Sequence, residues 1–196
     1  MNKLLEWLQE GDLRSDGLSQ EVVQFVLKHP DLVDDLVLGL SVENAVIRGR
    51  AADAIEHLAR DIPERLLPHQ NLIARSLIAD PIPMVRWHLA MVLGHLALDW
   101  DEPEAACALL TECLEDGSAF VTSWAIVSLC IYAKIYPTQL EMIMRKIVEL
   151  GSSPSAAVRS KVKNAVLLLA NADQPFPKGW VKSEWIKSAL IRYAGK

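Results

Sequence analysis

No stretch of the 196 residues alternates apolar and polar side chains over the length of a strand, which excludes a β-sheet at the outset. Cysteine is scarce. Cys107, Cys113 and Cys130 form no CxxC pair and leave an odd thiol, so a disulfide framework is not expected and a reducing, cytoplasmic setting fits best. GxGxxG, P-loop, GxSxG and HExxH are all missing, and with them the usual marks of nucleotide binding, hydrolase and zinc-protease chemistry. No cofactor or metal is expected. The opening MNKLLEWLQEGDLRSD is acidic, with interrupted apolar positions, unlike a signal peptide. A spanning helix needs about 20 apolar residues. Residues 119–136, AFVTSWAIVSLCIYAKIY, approach that length only by counting Thr122, Ser123, Ser128 and Lys134, so no membrane span is expected.

What remains is ordinary globular composition, 51% hydrophobic and 23% charged, in a chain long enough for one domain with a substantial core. The net charge of −5 hides an asymmetry: residues 1–43 and 81–118 each carry −6, whereas residues 151–196 carry +6. An acidic body with a basic end shapes the choice of partner rather than the fold.

A repeat organises the chain. AVIRGRAADAIEHLA from Ala45, PMVRWHLAMVLGHLA from Pro83, AFVTSWAIVSLCIYA from Ala119 and AAVRSKVKNAVLLLA from Ala156 align without gaps, at spacings of 38, 36 and 37 residues. One aligned position holds Ile47, Val85, Val121 and Val158; the next holds Arg48, Arg86, Thr122 and Arg159; Ala59, Ala97, Ala133 and Ala170 close the unit. Shorter runs between them, LLPHQNLIARSLIAD, EPEAACALLTECLEDG and TQLEMIMRKIVELG, have helical spacing and lengths of about three turns. Pro103, Pro137 and Pro154 sit where a first helical turn tolerates proline, and Ser118 and Ser153 are placed as N-caps. The pattern predicts an all-α stack of helical hairpins.

A unit of about 37 residues, built of two helices with a Val-Arg pair opening the second, resembles the HEAT-repeat family. The resemblance covers residues 31–171 as four units, with ADPIPMVRWHLAMVLGHLA the best match. It implies an α-α superhelix, a single solenoid domain, in which the second helix of each unit lines a concave surface. Residues 1–30 and 172–196 lie outside the repeat and are expected to cap the two ends, as a solenoid requires. Thr122 breaks any continuous ladder of arginines.

The outer faces of the second helices differ. In the first unit that face carries Gly49, Asp53, Glu56 and Arg60 and in the fourth Ser160, Asn164, Leu167 and Asn171, both reading as solvated. In the middle units it carries Trp87, Met91, Gly94 and Leu98, flanked by His88 and His95, then Ser123, Val127, Cys130 and Lys134, flanked by Trp124 and Ile131. Covering the five largest of these apolar side chains is worth on the order of 10 kcal/mol, so a cover is expected. It is a protein partner's peptide or helix, a second copy of the chain, or the chain's own ends. The candidate partner-binding residues are therefore Trp87, His88, Met91, His95, Trp124, Val127 and Ile131.

Lys178, Lys182, Lys187, Arg192 and Lys196, interleaved with Trp180 and Trp185, have the composition of a nucleic-acid tail. They also suit a solvated cap, and the acidic whole favours the cap. His57–Asp61 and His95–Asp99 repeat an i, i+4 pair that suits a helix end better than a general base. Some DNA glycosylases are HEAT-like, but they need a basic groove for phosphates, and Arg86 is the only lysine or arginine between Asp80 and Lys134. The expected role is a non-enzymatic scaffold or adaptor that binds a protein, with no nucleic acid or membrane involved.

Overall fold

A computed structural model describes residues 3–193; Lys196 of the basic tail lies outside the described residues. The helices are α1 (Lys3–Trp7), α2 (Ser19–Lys28), α3 (Val33–Leu38), α4 (Ala45–Asp61), α5 (Gln70–Ala79), α6 (Pro83–His95), α7 (Pro103–Glu112), α8 (Ala119–Ile135), α9 (Leu140–Glu149), α10 (Ala156–Ala170) and α11 (Glu184–Tyr193). Among the described residues there is no strand, and no helix is long and apolar enough to cross a membrane.

The four aligned segments are α4, α6, α8 and α10. They pack side by side in that order, with α2 added against α4. A second layer, α3, α5, α7 and α9, pairs each helix with the one that follows it. The aligned Ile47, Val85, Val121 and Val158 are all buried between layers, as their shared spacing requires. Residues 19–28 thus extend the second-helix layer by one element beyond the repeat detected in sequence.

Polar side chains of α8 and of Tyr136, which caps its end, explain why so apolar a segment belongs to this layer. Ser128 donates to the Ala90 carbonyl, Tyr132 to that of Leu93 and Tyr136 to that of Ala97, at 2.7, 3.2 and 2.8 Å. Each hydroxyl is thereby satisfied where burial would otherwise be costly. The close approach needs Gly94, where a Cβ would stand 2.6 Å from Ser128 Oγ.

The Val-Arg pair has a mechanical role. Arg48 reaches Asp80 at 2.6 Å and Arg86 reaches Asp116 at 2.7 Å, each aspartate lying three residues before the next aligned segment. Each arginine also binds carbonyls of its own hairpin loop, Val42 and Glu43 for Arg48 and Asp80 for Arg86. Where Thr122 replaces arginine, Ser153 replaces aspartate at the position it would have reached. Charge is lost from both sides of that junction together, as an unpaired buried charge would demand. The turn survives, because Ser153 Oγ accepts the Ser155 N–H just as Asp116 Oδ1 accepts that of Ser118. Ser155 rather than Ser153 caps α10, through the Val158 N–H; Ser118 holds the N-cap position of α8 without a side-chain cap bond.

Arg86→Ala is expected to lower stability by about 3 kcal/mol by stranding Asp116. The double change Arg86→Thr with Asp116→Ser, which copies the residues of the third junction, should cost less than the sum of its singles by at least about 1 kcal/mol. Urea melts of the four proteins measure both quantities.

Candidate functional site

The outer face of the second-helix layer carries two segments from outside the repeat, residues 8–17 and 176–183. Near its start, Arg50 is buried and donates to the carbonyls of Leu8, Glu10, Asp12 and Ser15, gathering residues 8–17 over α4. Gly17, at φ +55°, sits against this guanidinium where any Cβ would collide. Leu13 in the same loop lies over Gly49.

At the other end, Lys134 Nζ donates to the carbonyls of Asn171 and Ala172 at 2.9 and 3.1 Å, as the chain leaves α10. Residues 176–183 then form a strap across the face. Trp180 is 5% exposed and, together with Met91, His95, Trp124, Val127, Ser128 and Ile131, lines one small cavity under the strap. Lys161 Nζ stands 5.0 Å from the centre of the Trp124 ring and 4.7 Å from that of Trp180, and Lys182 Nζ stands 5.0 Å from that of Trp124. Such cation–π contacts strengthen as they lose solvent. Burial lowers the pKa of both lysines below the ordinary lysine value. Ser183 donates to the Arg60 carbonyl and accepts the Ile186 N–H, so one hydroxyl ties the strap to α4 and begins α11. Helix α11 then lies against α4 and α8, and the segment after the repeat does not simply close the end of the stack.

The seven sequence-predicted residues are accordingly distributed. His88, Met91, His95, Val127 and Ile131 are buried, and Trp87 and Trp124 are half-buried. Met91, His95, Trp124, Val127 and Ile131 gather around Trp180, whereas Trp87 lies outside that pocket and packs on Phe120 at 5.1 Å between ring centres. Phe120 itself is 64% exposed. The cover over the middle units is the chain's own carboxy-terminal segment.

The expectation of a solvated face in the first unit is corrected: Gly49, Asp53 and Glu56 are buried. Polar residues there are enclosed because they are paired. Glu56 is 1% exposed and accepts from His95 Nε2 at 2.8 Å and, through both oxygens, from Arg60, with Lys182 Nζ at 3.9 Å. Asp53 meets His88 Nε2 at 3.1 Å, while His88 Nδ1 lies 2.9 Å from the Met84 carbonyl. Burial by itself would raise the pKa of Asp53; the His88 hydrogen bond and the charges of His88 and His57 outweigh it and hold the carboxyl below its ordinary value. His57 is itself pushed down by burial and by the nearby Arg60.

Asp53, Glu56 and His57 present oxygen and nitrogen atoms within 4.8 Å of one another, a spacing that metal ligands share. Both Glu56 oxygens are engaged by Arg60, however, and Lys182 adds a second positive charge. A divalent cation would have to displace those partners, so the cluster is better described as a self-neutralised ion network.

Sequence reasoning named Trp180 and Lys182 only as members of a basic tail and missed Glu56 and Phe120. One signal was available: the segment QPFPKGWVK places a proline-interrupted linker before a Trp-x-Lys pair, in the only strongly basic region of the chain.

The network has a pH signature. For Glu56, burial alone would raise the pKa, but the hydrogen bonds from His95 and Arg60 and the charges of His95 and Lys182 bring it from 4.5 down to about 2. A carboxyl with a depressed folded pKa contributes stability that is fully present above its unfolded value and lost as pH falls through its folded one. Stability should therefore drop by on the order of 3 kcal/mol between about pH 5 and pH 2. Glu56→Gln should flatten that slope in a series of denaturant melts. An unchanged slope would show that Glu56 does not carry it.

No family model matches this sequence, and no curated protein matches it. Solved structures do. A computationally designed armadillo repeat protein for modular peptide recognition aligns with a TM-score of 0.61 at 18% identity, covering 98% of this chain and 87% of that one. An engineered protein aligns with a TM-score of 0.60 at 16% identity over 85% of this chain and 78% of that one. The MAST/Orbit N-terminal domain aligns with a TM-score of 0.55 at 16% identity over 100% of this chain and 96% of that one. At such identities the likeness concerns architecture: the chain has a HEAT/armadillo-like helical-repeat fold.

Proposed function

We propose that this protein is a non-enzymatic scaffold or adaptor that binds a protein partner through the outer face of its second-helix layer, with Trp87, His88, Met91, His95, Trp124, Val127 and Ile131 as the contact residues. The observation that carries this is the seat of Trp180. Residues 176–183 lie across the helices with one large aromatic side chain buried against α6 and α8, an arrangement with the character of an interface anchor, a desolvated aromatic with polar groups around it. The designed armadillo protein of similar fold, made for peptide recognition, is consistent with the same use here. In the structure the resident segment is the chain's own. Beyond it, Trp87 and Phe120 continue the aromatic surface in the open.

Trp87 separates binding from folding, because it is half-buried and stands apart from the Trp180 pocket. Trp87→Ala should weaken capture of a partner by at least about 2 kcal/mol, while lowering stability by only about 1 kcal/mol. The measurement is affinity for a partner recovered on the full-length chain, set beside the melting of both proteins. A partner held equally by wild type, Trp87→Ala and the Trp87→Ala/Trp124→Ala double variant would remove this face from the reading.

A further inference from the structure

We propose that the partner segment taken by this face imitates the strap: an extended peptide with a large aromatic residue followed two positions later by lysine or arginine, which displaces residues 180–183 as it binds. This specificity presupposes that the face binds protein, and it adds both the ligand's chemistry and its resident competitor.

The face is built for that pair of side chains. The aromatic slot is the place Trp180 occupies, beside a small cavity it shares with Met91, Trp124 and Ile131, with Lys161 against the rings of both Trp124 and Trp180. The cation site is Glu56, with Asp53 beside it on α4. The distance between slot and carboxylates is spanned by one intervening residue, Val181 in the strap.

The strap is held in a way that permits exchange. Residues 171–175 are exposed, and apart from the Lys134 bonds to the Asn171 and Ala172 carbonyls their backbone bonds at this point are local, from Asp173 N–H to Asn171 Oδ1 and from Gln174 N–H to the Asn171 carbonyl. Of the ten residues of α11 only Ile186 and Ala189 are buried, and Ile191 is 77% exposed. A helix of this length depends on its docking to persist, so strap and helix release together as one local unit. The internal fit is also incomplete, since His95 Nδ1, in the wall of the Trp180 pocket, is buried without a hydrogen-bond partner. A longer incoming segment has more to gain than the strap, because Trp87 and Phe120 are reachable beside it.

Two fluorescent peptides test this against the full-length chain. One has the sequence QPFPKGWVKSEWIKSA of residues 174–189, and the other places Trp-Val-Lys in a Gly/Ser host. A ligand's apparent affinity falls with the fraction of protein that is competent to bind it. Both peptides should therefore bind Trp180→Ala about tenfold or more tightly than wild type, and replacing the peptide's lysine by glutamate should abolish the gain. If Trp180→Ala does not fold by circular dichroism, Lys182→Glu provides the vacated face, since it sets a carboxylate against Glu56. Equal affinity for wild type and variant would overturn the competition. Binding of the chain's own sequence without binding of the Gly/Ser-hosted peptide would overturn the aromatic-x-cation rule and leave the protein-binding face standing. Binding of neither peptide to any variant would overturn both. A wild-type dimer in sedimentation that the peptide dissociates would make the occupant a second copy of the chain and overturn the proposal in that form.

Discussion

A single buried carboxylate ties the parts of this molecule together. Glu56 sits on α4 with almost no contact with solvent, and cationic or donor groups reach it from three elements: Arg60 and His57 from its own helix, His95 from α6 and Lys182 from the strap. An isolated charge in such a position would be prohibitively costly. Glu56 therefore gives α6 and the carboxy-terminal segment a shared partner on α4. The aromatic contacts around Trp180 supply area, and the carboxylate fixes the position where that area is placed.

The two kinds of charge pair in the stack do different work. Arg48–Asp80 and Arg86–Asp116 join consecutive repeats at their loop ends, and the third junction dispenses with both charges at once through Thr122 and Ser153. Those pairs set the register of neighbouring hairpins. The Glu56 and Asp53 network lies further along the same helices and joins α4 to α6 and to the strap. Register and cover are thus separate electrostatic devices. A solenoid could lose the second and keep its stacking, which is the physical basis for treating the strap as exchangeable.

The stack was legible in the sequence because it is periodic: the aligned Ile47, Val85, Val121 and Val158, and the closing alanines, report a burial that recurs every 36 to 38 residues. The apolar middle of the outer face was legible too, since Met91, Val127 and Ile131 stand where a solvated helix carries polar residues. What covered it was not, because the cavity that Trp180 and Met91 both line joins residues far apart in sequence and repeats nowhere. Ser183 and Arg60 are separated by 123 positions, and nothing periodic connects them.

The first unit shows the other limit. Asp53, Glu56 and Arg60 at helical spacing look like an exposed face, and hydrophobicity assigns them to solvent for the sound reason that charges are seldom buried. That rule holds for charges taken one at a time. Two carboxylates on α4, matched by His88 and His95 on α6 and by Arg60 and Lys182, form a set whose members can leave water together. The sequence clue was therefore not the polarity of α4 but the surplus of histidine on α6, where His88 and His95 flank a face otherwise apolar. Two histidines there, with no acidic residue of their own helix beside them, need carboxylates from a neighbour. The adjacent helix in the stack supplies Asp53 and Glu56, so the polar face of one repeat is the complement of the apolar face of the next, and the strap closes over the boundary between them.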